Sequence, residues 1–132
     1  MSSILFDSFA MLRFFYLEPG AERVRELLKE AVINDTPCLI SAINVGELIY
    51  IIRRRSGEDA KLQMLVKLSN LGFIILPCPN DLIFRAAELK ARFAMSYADT
   101  FAVASAIEHN ATLVTGDPEF RQVEQLVKIL WV

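Results

Sequence analysis

Short apolar runs alternate with longer amphipathic segments along the whole chain. The longer segments repeat apolar residues at the spacing i, i+3, i+4, i+7, as Val24, Leu27, Leu28 and Ala31 do, which is the periodicity of a helix with one buried face. The short apolar runs are bounded by turn residues and are typical of buried strands. This pattern predicts five strands, at residues 2–6, 38–40, 73–76, 112–115 and 128–132.

Helices are predicted between these strands, and Ser41 and Asn80 are suitable N-caps for two of them. All five prolines and four of the five glycines fall at the proposed boundaries, which supports the segmentation. The predicted helices are 8–17, 21–33, one from Ser41 to Gly57, 58–71, one from Asn80 to about 93, 98–109, and a short one beginning at Asp117. Regular alternation of strands and helices predicts an α/β fold with a mostly parallel sheet of about five strands and helices on both faces. The length of 132 residues fits a single domain, residues 1–132.

The composition supplies ample material for a core. Apolar residues make up 54% of the chain, slightly more than so small a domain hides easily, so we expect some apolar surface to meet another chain. No run approaches the roughly 18 apolar residues of a membrane-spanning helix, and no secretion signal is evident. Cys38 and Cys78 lie in apolar stretches, as expected of reduced cysteines in a cytoplasmic protein, and His109 is the only histidine.

The net charge of −2 argues against a protein that holds nucleic acid on a broad basic surface. It is compatible with one that handles nucleic acid through metal ions and a local basic patch. Arg53, Arg54 and Arg55 end a predicted helix, and two interpretations of them are open. They are either a solvated basic end that suits the helix dipole or phosphate contacts for RNA.

Four acidic side chains occupy apolar surroundings at related places in the predicted fold. Asp7 and Asp117 follow predicted strands, Glu47 lies within the first two turns of a helix, and Asp99 is at the head of an alanine-rich helix. Because the carboxyl ends of parallel strands and the adjoining helix starts meet at one crevice, we expect the four carboxylates to converge. A lone carboxylate buried in such surroundings would cost several kcal/mol, so the four positions indicate one shared site.

Four carboxylates in one crevice repel one another. At roughly 4 Å and an effective dielectric constant of about 20, each pair costs about 4 kcal/mol. Proton uptake with raised carboxyl pKa values would relieve this repulsion, and so would a bound divalent cation. An all-oxygen ligand set without thiol or imidazole favours Mg²⁺ or Mn²⁺ over zinc. We therefore expect a metal site that assists the attack of water on a phosphodiester.

Three of the four acids also have a simpler local role. Asp7 and Asp117 are favoured N-caps, and Pro118 suits the first turn of a helix. Asp99 in a first turn would interact favourably with the helix dipole. Glu47 has no such explanation, because a carboxylate among aliphatic residues in mid-helix gains nothing unless it is paired. We favour the metal site because the four acids occur together.

Four motifs contain these acids. They are LFDS at 5–8, NVGE at 44–47, YADTFAVASA at 97–106 and LVTGDPEF at 113–120. Taken together they resemble a PIN domain, and in particular the small ribonuclease toxins of VapBC-type toxin–antitoxin pairs. The resemblance covers essentially the whole chain, with the motifs in the family's order and spacing.

The resemblance implies a three-layer α/β/α sandwich and Mg²⁺- or Mn²⁺-dependent hydrolysis of RNA. It also implies a homodimer and inhibition by a small antitoxin protein. In the family pattern the acidic catalytic and metal-site residues would be Asp7, Glu47, Asp99 and Asp117, and the supporting hydroxyls would be Ser8 and Thr115. The sequence departs from the pattern at Gly116 and Pro118, which flank the last aspartate.

Two other functions were considered. A PIN-like domain without turnover would serve as a scaffold that binds RNA or protein, but the presence of all four acids argues against it. A phosphoryl-transfer enzyme or receiver domain would use Asp7 as an acceptor. A haloacid-dehalogenase-type phosphatase would need an aspartate at position 9, where this chain has Phe9, and a receiver domain would need one at the end of the third strand, where it has Pro77-Cys78-Pro79.

Overall fold

The centre of the computed structural model, which describes residues 2–132, is a five-stranded sheet in which every ladder is parallel. Its strands are β1 (Ile4–Phe6), β2 (Cys38–Ser41), β3 (Ile74–Leu76), β4 (Thr112–Thr115) and β5 (Ile129–Trp131). Their order is β3-β2-β1-β4-β5. The chain therefore adds β2 and β3 on one side of β1 and then adds β4 and β5 on the other side. Ligand crevices of open α/β sheets lie at such a reversal, which here falls between the carboxyl ends of β1 and β4.

Six α-helices and one 3₁₀ helix cover the sheet in the described part of the chain. They are α1 (Ser8–Phe15), α2 (Ala21–Asn34), α3 (Ala42–Ser56), α4 (Glu58–Asn70), α5 (Asn80–Arg92), α6 (Tyr97–Glu108) and the 3₁₀ helix Pro118–Val123. The alternation of elements and the three-layer α/β/α arrangement predicted from the sequence are confirmed.

Each face of the sheet has its own core, because side chains alternate between faces along a strand. One core joins Phe6 and Val114 to the apolar faces of α1, α2, α3 and α4. The other joins Leu5 and Leu113 to α5, α6 and the 3₁₀ helix. Helix α6 is buried nearly all round, which explains its alanine-rich sequence. Asp7 lies two residues after Leu5, so its position is on the same face of the sheet as Leu5, the face covered by α6.

Most predicted boundaries agree with the structure to within a few residues, and one predicted cap was wrong. Ser41 caps α3 through a hydrogen bond from the N–H of Ile43. Asn80 does not cap α5, since it is already helical and Pro79 holds the N-cap position in extended backbone conformation. The alanine-rich helix begins at Tyr97, two residues before Asp99, with Ser96 as its N-cap.

Across residues 2–132, every helix is too short or too polar to cross a membrane.

Candidate functional site

Asp7 is fully buried at the carboxyl end of β1 and caps α1. Its Oδ1 accepts the N–H of Ala10 at 2.8 Å, and its Oδ2 accepts the Thr115 hydroxyl at 2.5 Å. The same hydroxyl oxygen accepts the N–H of Asp117 at 3.1 Å. The end of β4 therefore fixes both Asp7 and the start of the turn that carries Asp117.

Glu47 is held by two donors at one of its oxygens. The Ser8 hydroxyl donates to Glu47 Oε1 at 2.8 Å, and Asn44 Nδ2 donates to the same atom at 2.9 Å. Asn44 lies one helical turn earlier on α3 and is fully buried. Because both donors converge on Oε1, the second carboxylate oxygen is left to face other groups.

Asp99, Asp117 and Glu119 form the tightest acidic cluster in the described chain. Each offers a carboxylate oxygen, and these oxygens lie within 4.8 Å of one another. Asp99 is in the first turn of α6, while Asp117 caps the 3₁₀ helix by accepting the N–H of Glu119 at 3.0 Å. Three oxygen donors at this spacing suit a hard divalent cation.

The electrostatics join this cluster to the other two acids. Burial first, and then the charges of Asp99 and Asp117, raise the pKa of Asp7 to about 7 against the lowering effect of its two hydrogen bonds. Burial first, and then repulsion from Asp117, Glu47 and Glu119, raise the pKa of Asp99 to about 6. Repulsion of this kind requires the carboxylates to lie near one another. The structure thus brings all four predicted acids to one edge of the sheet, with Asp99 and Asp117 closest together.

The simpler local roles are present as well, and they do not compete with a shared site. Asp7 and Asp117 are both N-caps, and each uses only Oδ1 for that bond. The predicted hydroxyls Ser8 and Thr115 each hold one predicted acid, Glu47 and Asp7 respectively. Capping orients these carboxylates, and it leaves the second oxygen of Asp117 for further contacts, whereas that of Asp7 is held by Thr115.

Two further residues of this edge were given no role from the sequence. Glu119 is exposed and looked like an ordinary first-turn acid, although the spacing Asp117-Pro118-Glu119 was a signal for it. Asn44 lies one turn before Glu47, which was a signal for a hydrogen bond on the same helix face. Its Oδ1 is buried and lacks a hydrogen-bond partner among residues 2–132.

Gly116 stood out in the sequence as a departure from the family pattern, and only the structure explains it. A Cβ atom at this position would lie 2.7 Å from Phe9 Cε1 and 2.7 Å from the carbonyl oxygen of Val132. Both distances are well inside van der Waals contact. The departure from the family pattern at Gly116 is therefore a packing requirement of the turn between Thr115 and Asp117.

The basic end of α3 is exposed, and two of its three arginines have carboxylate partners. Arg53 lies 3.8 Å from Glu58, and Arg55 lies 3.7 Å from Glu18. Arg54 lies over the ring of Tyr50, 5.5 Å from its centroid. Exposed pairs of this length hold side chains only weakly, so all three arginines remain accessible to an anion.

The comparisons with solved structures show a shared fold. The chain superposes on VapBC2 from Rickettsia felis, bound to a DNA fragment from its promoter, with a TM-score of 0.80, 20% identity and 98% of both chains covered. VapC20 of Mycobacterium tuberculosis, a sarcin–ricin loop cleaving toxin, gives a TM-score of 0.74 at 17% identity, with 92% of this chain and 95% of that chain covered. FitAcB from Neisseria gonorrhoeae gives 0.70 at 24% identity, with 96% of both chains covered.

No curated protein matches the chain significantly. The sequence itself matches one family, the PIN domain, over residues 4–126. This match includes β1 and β4, the two strands between which the strand order reverses, and every residue of the acidic edge. The chain belongs to the PIN domain family.

Proposed function

We propose that this protein is a Mg²⁺- or Mn²⁺-dependent endoribonuclease that hydrolyses RNA phosphodiester bonds as the toxin of a toxin–antitoxin pair. The observation that carries the proposal is the convergence of carboxylates at the β1–β4 edge, with Asp99, Asp117 and Glu119 within 4.8 Å of one another. Membership of the PIN family supports a hydrolase acting on nucleic acid. We take residues 1–132 as one catalytic domain of a cytoplasmic protein.

The residues at this edge fit a hard divalent cation. The donor set consists of carboxylate oxygens. Burial and mutual repulsion raise the pKa of Asp7 and Asp99, so a cation at the edge would offset the unfavourable electrostatic energy of the ionised carboxylates. Asp99 and Asp117 would hold the ion, with Asp7 and Glu47 completing the catalytic acids. A bound Mg²⁺ or Mn²⁺ supplies a lowered pKa for its water and neutralises charge that builds on the phosphate.

The chain's own groups orient these acids. Thr115 fixes Asp7 through its hydroxyl, while Ser8 and Asn44 fix Glu47. Hydrogen bonds of this kind set carboxylate orientation before substrate arrives, which removes reorganisation from the reaction. His109 ends α6 away from the strand edge, at the C-cap, so proton removal from the attacking water is assigned to the acidic edge.

An antitoxin partner is supported by an apolar cleft on the α1–α2–α4 side. The cleft encloses about 520 Å³ and is lined by residues that include Phe15, Leu28 and Leu71. Leu17 and Val32 in its lining are 85% and 79% exposed, and Lys29 adds positive charge. An antitoxin segment with apolar anchors and acidic flanks would suit this cleft. A similar structure from Klebsiella pneumoniae is a toxin–antitoxin complex, and one from Salmonella typhimurium is DNA-bound VapBC.

A homodimer is supported by further exposed apolar side chains. Ile74 and Ile75 on the edge strand β3 are about half exposed, at 50% and 49%, and Phe84 on α5 is 65% exposed. Contiguous apolar surface on a monomer marks a site that meets another chain. We propose a second copy of this chain as the partner there.

The test of the proposed function is cleavage of labelled single-stranded RNA by the purified protein. We expect cleavage with Mg²⁺ or Mn²⁺, its loss in EDTA, and its loss in Asp7→Asn and Asp99→Asn. Asp35→Asn is the matched control, because Asp35 is an exposed carboxylate beyond the end of α2 and Asn tolerates its left-handed backbone. A folded wild type that binds RNA but cuts none with either metal would instead favour the scaffold function.

A further inference from the structure

Two arginines beside the acidic edge lie on aromatic rings. The guanidinium of Arg13 is 4.8 Å from the centroid of the Phe9 ring, and that of Arg121 is 5.4 Å from the centroid of the Trp131 ring. Neither arginine forms an ion pair with any of residues 2–132. Both positive charges are therefore held in place without being neutralised by the protein.

Both rings adjoin the backbone that carries Asp117. The Phe9 ring lies against Gly116, since a Cβ there would approach its Cε1 to 2.7 Å. Trp131 is the β5 partner of Thr115 in the sheet. Each guanidinium is thus one aromatic ring away from the turn at 115–117.

The two pairs approach this turn from opposite faces of the sheet. Phe9 and Arg13 belong to α1, which packs on the same core as Phe6. Trp131 packs against the other core, with Phe120 of the 3₁₀ helix. A polyanion crossing the acidic edge between the two faces would meet a guanidinium on each side of the cleavage position.

We propose that Arg13 and Arg121 are backbone-phosphate contacts for the RNA substrate, one on each side of the acidic edge. This inference rests on the proposed function. Guanidinium groups bind phosphate oxygens in a bidentate manner, and a group already oriented by a ring loses less freedom on binding. The two contacts would also offset the repulsion between the four or five carboxylates of the site and an approaching phosphodiester.

The test is single-turnover cleavage of a fluorescein-labelled single-stranded RNA of mixed sequence at several KCl concentrations with Mg²⁺ held constant. Arg13→Gln and Arg121→Gln should each raise the half-saturating protein concentration roughly five- to ten-fold, with the maximal rate within about two-fold of wild type. The slope of log affinity against log salt should fall by about 0.7 for each lost phosphate contact with a single strand. Arg13→Lys should recover most of the salt slope, because it keeps the charge.

Arg23→Gln is the matched control. It makes the same change in net charge, but Arg23 lies on α2 in ion pairs with Glu26 and Glu30, so its affinity and slope should stay at the wild-type values. Equal behaviour of all three glutamine variants, or a loss confined to the maximal rate with melting temperatures unchanged, would overturn the inference while leaving the nuclease intact. A wild type that cleaves no RNA with either metal would instead overturn the proposed function.

Discussion

The Thr115 hydroxyl donates to Asp7 Oδ2 at 2.5 Å and joins two residues that are 108 positions apart in the chain. The bond is possible because β1 and β4 are adjacent in the sheet, with Phe6 paired to Val114. The same oxygen accepts the N–H of Asp117 at 3.1 Å. One buried hydroxyl thus sets the positions of two of the four proposed acids.

Replacing Thr115 by Val should remove both hydrogen bonds while keeping the volume of the side chain. Asp7 Oδ2 would then be buried without its donor, so we expect the free energy of unfolding to fall by roughly 2 kcal/mol. RNA cleavage should fall about 10- to 100-fold, as when a group that orients a metal ligand is removed. Urea unfolding and single-turnover cleavage measure the two effects. Thr115→Ser keeps the hydroxyl and should remain near wild type in both; a valine variant as active as the serine variant would contradict this role.

Asp7 should make the stability of the metal-free protein depend on pH. Its pKa in the folded protein is about 7 against an ordinary value of 3.8, so the folded state binds this proton more tightly than the unfolded state. Its contribution to stability is therefore complete below about pH 4 and is lost as pH rises towards 7, by on the order of 4 kcal/mol. Asp99, whose pKa in the folded protein is about 6, should likewise lower the stability as pH rises.

The measurement is urea unfolding in EDTA between pH 4 and pH 8. Asp7→Asn should flatten the dependence and be more stable than wild type at pH 8, since it removes a buried charge. Asp35→Asn should follow the wild-type curve, because Asp35 lies at the other end of β2, before the strand begins. A wild-type curve that rises over this range would show that Asp7 is not a strained carboxylate.

The sequence was sufficient for the fold and for most of the acidic edge, and physical reasons explain what it missed. Asp7 and Asp117 could be placed because strand ends have a fixed position in a parallel sheet. Glu119 could not, because an exposed acid after an N-cap has an adequate local explanation. The cap at Asn80 was wrong because the choice between Pro79 and Asn80 depends on backbone geometry that local composition does not determine.

Contacts between distant segments were also beyond the sequence. Nothing local relates Gly116 to Phe9 or Arg121 to Trp131, because these pairs meet only once the sheet has brought β4 and β5 beside α1 and the 3₁₀ helix. The choice of which arginines contact RNA also depended on contacts that the sequence does not show. Arg53, Arg54 and Arg55 stand out as a run, whereas Arg13 and Arg121 are isolated in sequence and come near the turn at 115–117 only in the folded protein.

Gly116→Ala and Gly46→Ala should have opposite effects on stability. At Gly116 the new methyl group would lie 2.7 Å from both a Phe9 ring carbon and a backbone oxygen, so the turn must shift, at a cost of roughly 1–3 kcal/mol. At Gly46, inside α3, the new methyl would meet no atom within 4 Å beyond its chain neighbours and the backbone of its own helix, and alanine should stabilise the helix by roughly 0.5–1 kcal/mol. Thermal unfolding of the two variants tests the pair. Equal and small changes would show that the turn at Gly116 is not tightly packed.

Divalent metal should stabilise the protein through the Asp99–Asp117–Glu119 cluster. At about one hundred times its dissociation constant, a ligand that binds only the folded state adds about 2.7 kcal/mol, so Mg²⁺ or Mn²⁺ should raise the melting temperature by several degrees at pH 8. The rise should be smaller at pH 5.5, where Asp7 and Asp99 are largely protonated and must lose those protons to bind the ion. Differential scanning calorimetry with metal and with EDTA measures both.

Asp99→Asn should abolish the rise in melting temperature, and Glu119→Gln should increase several-fold the metal concentration needed to produce it. Glu124→Gln, an exposed change just beyond the same 3₁₀ helix, should leave the rise intact. Equal metal responses in the three variants would place the ion elsewhere.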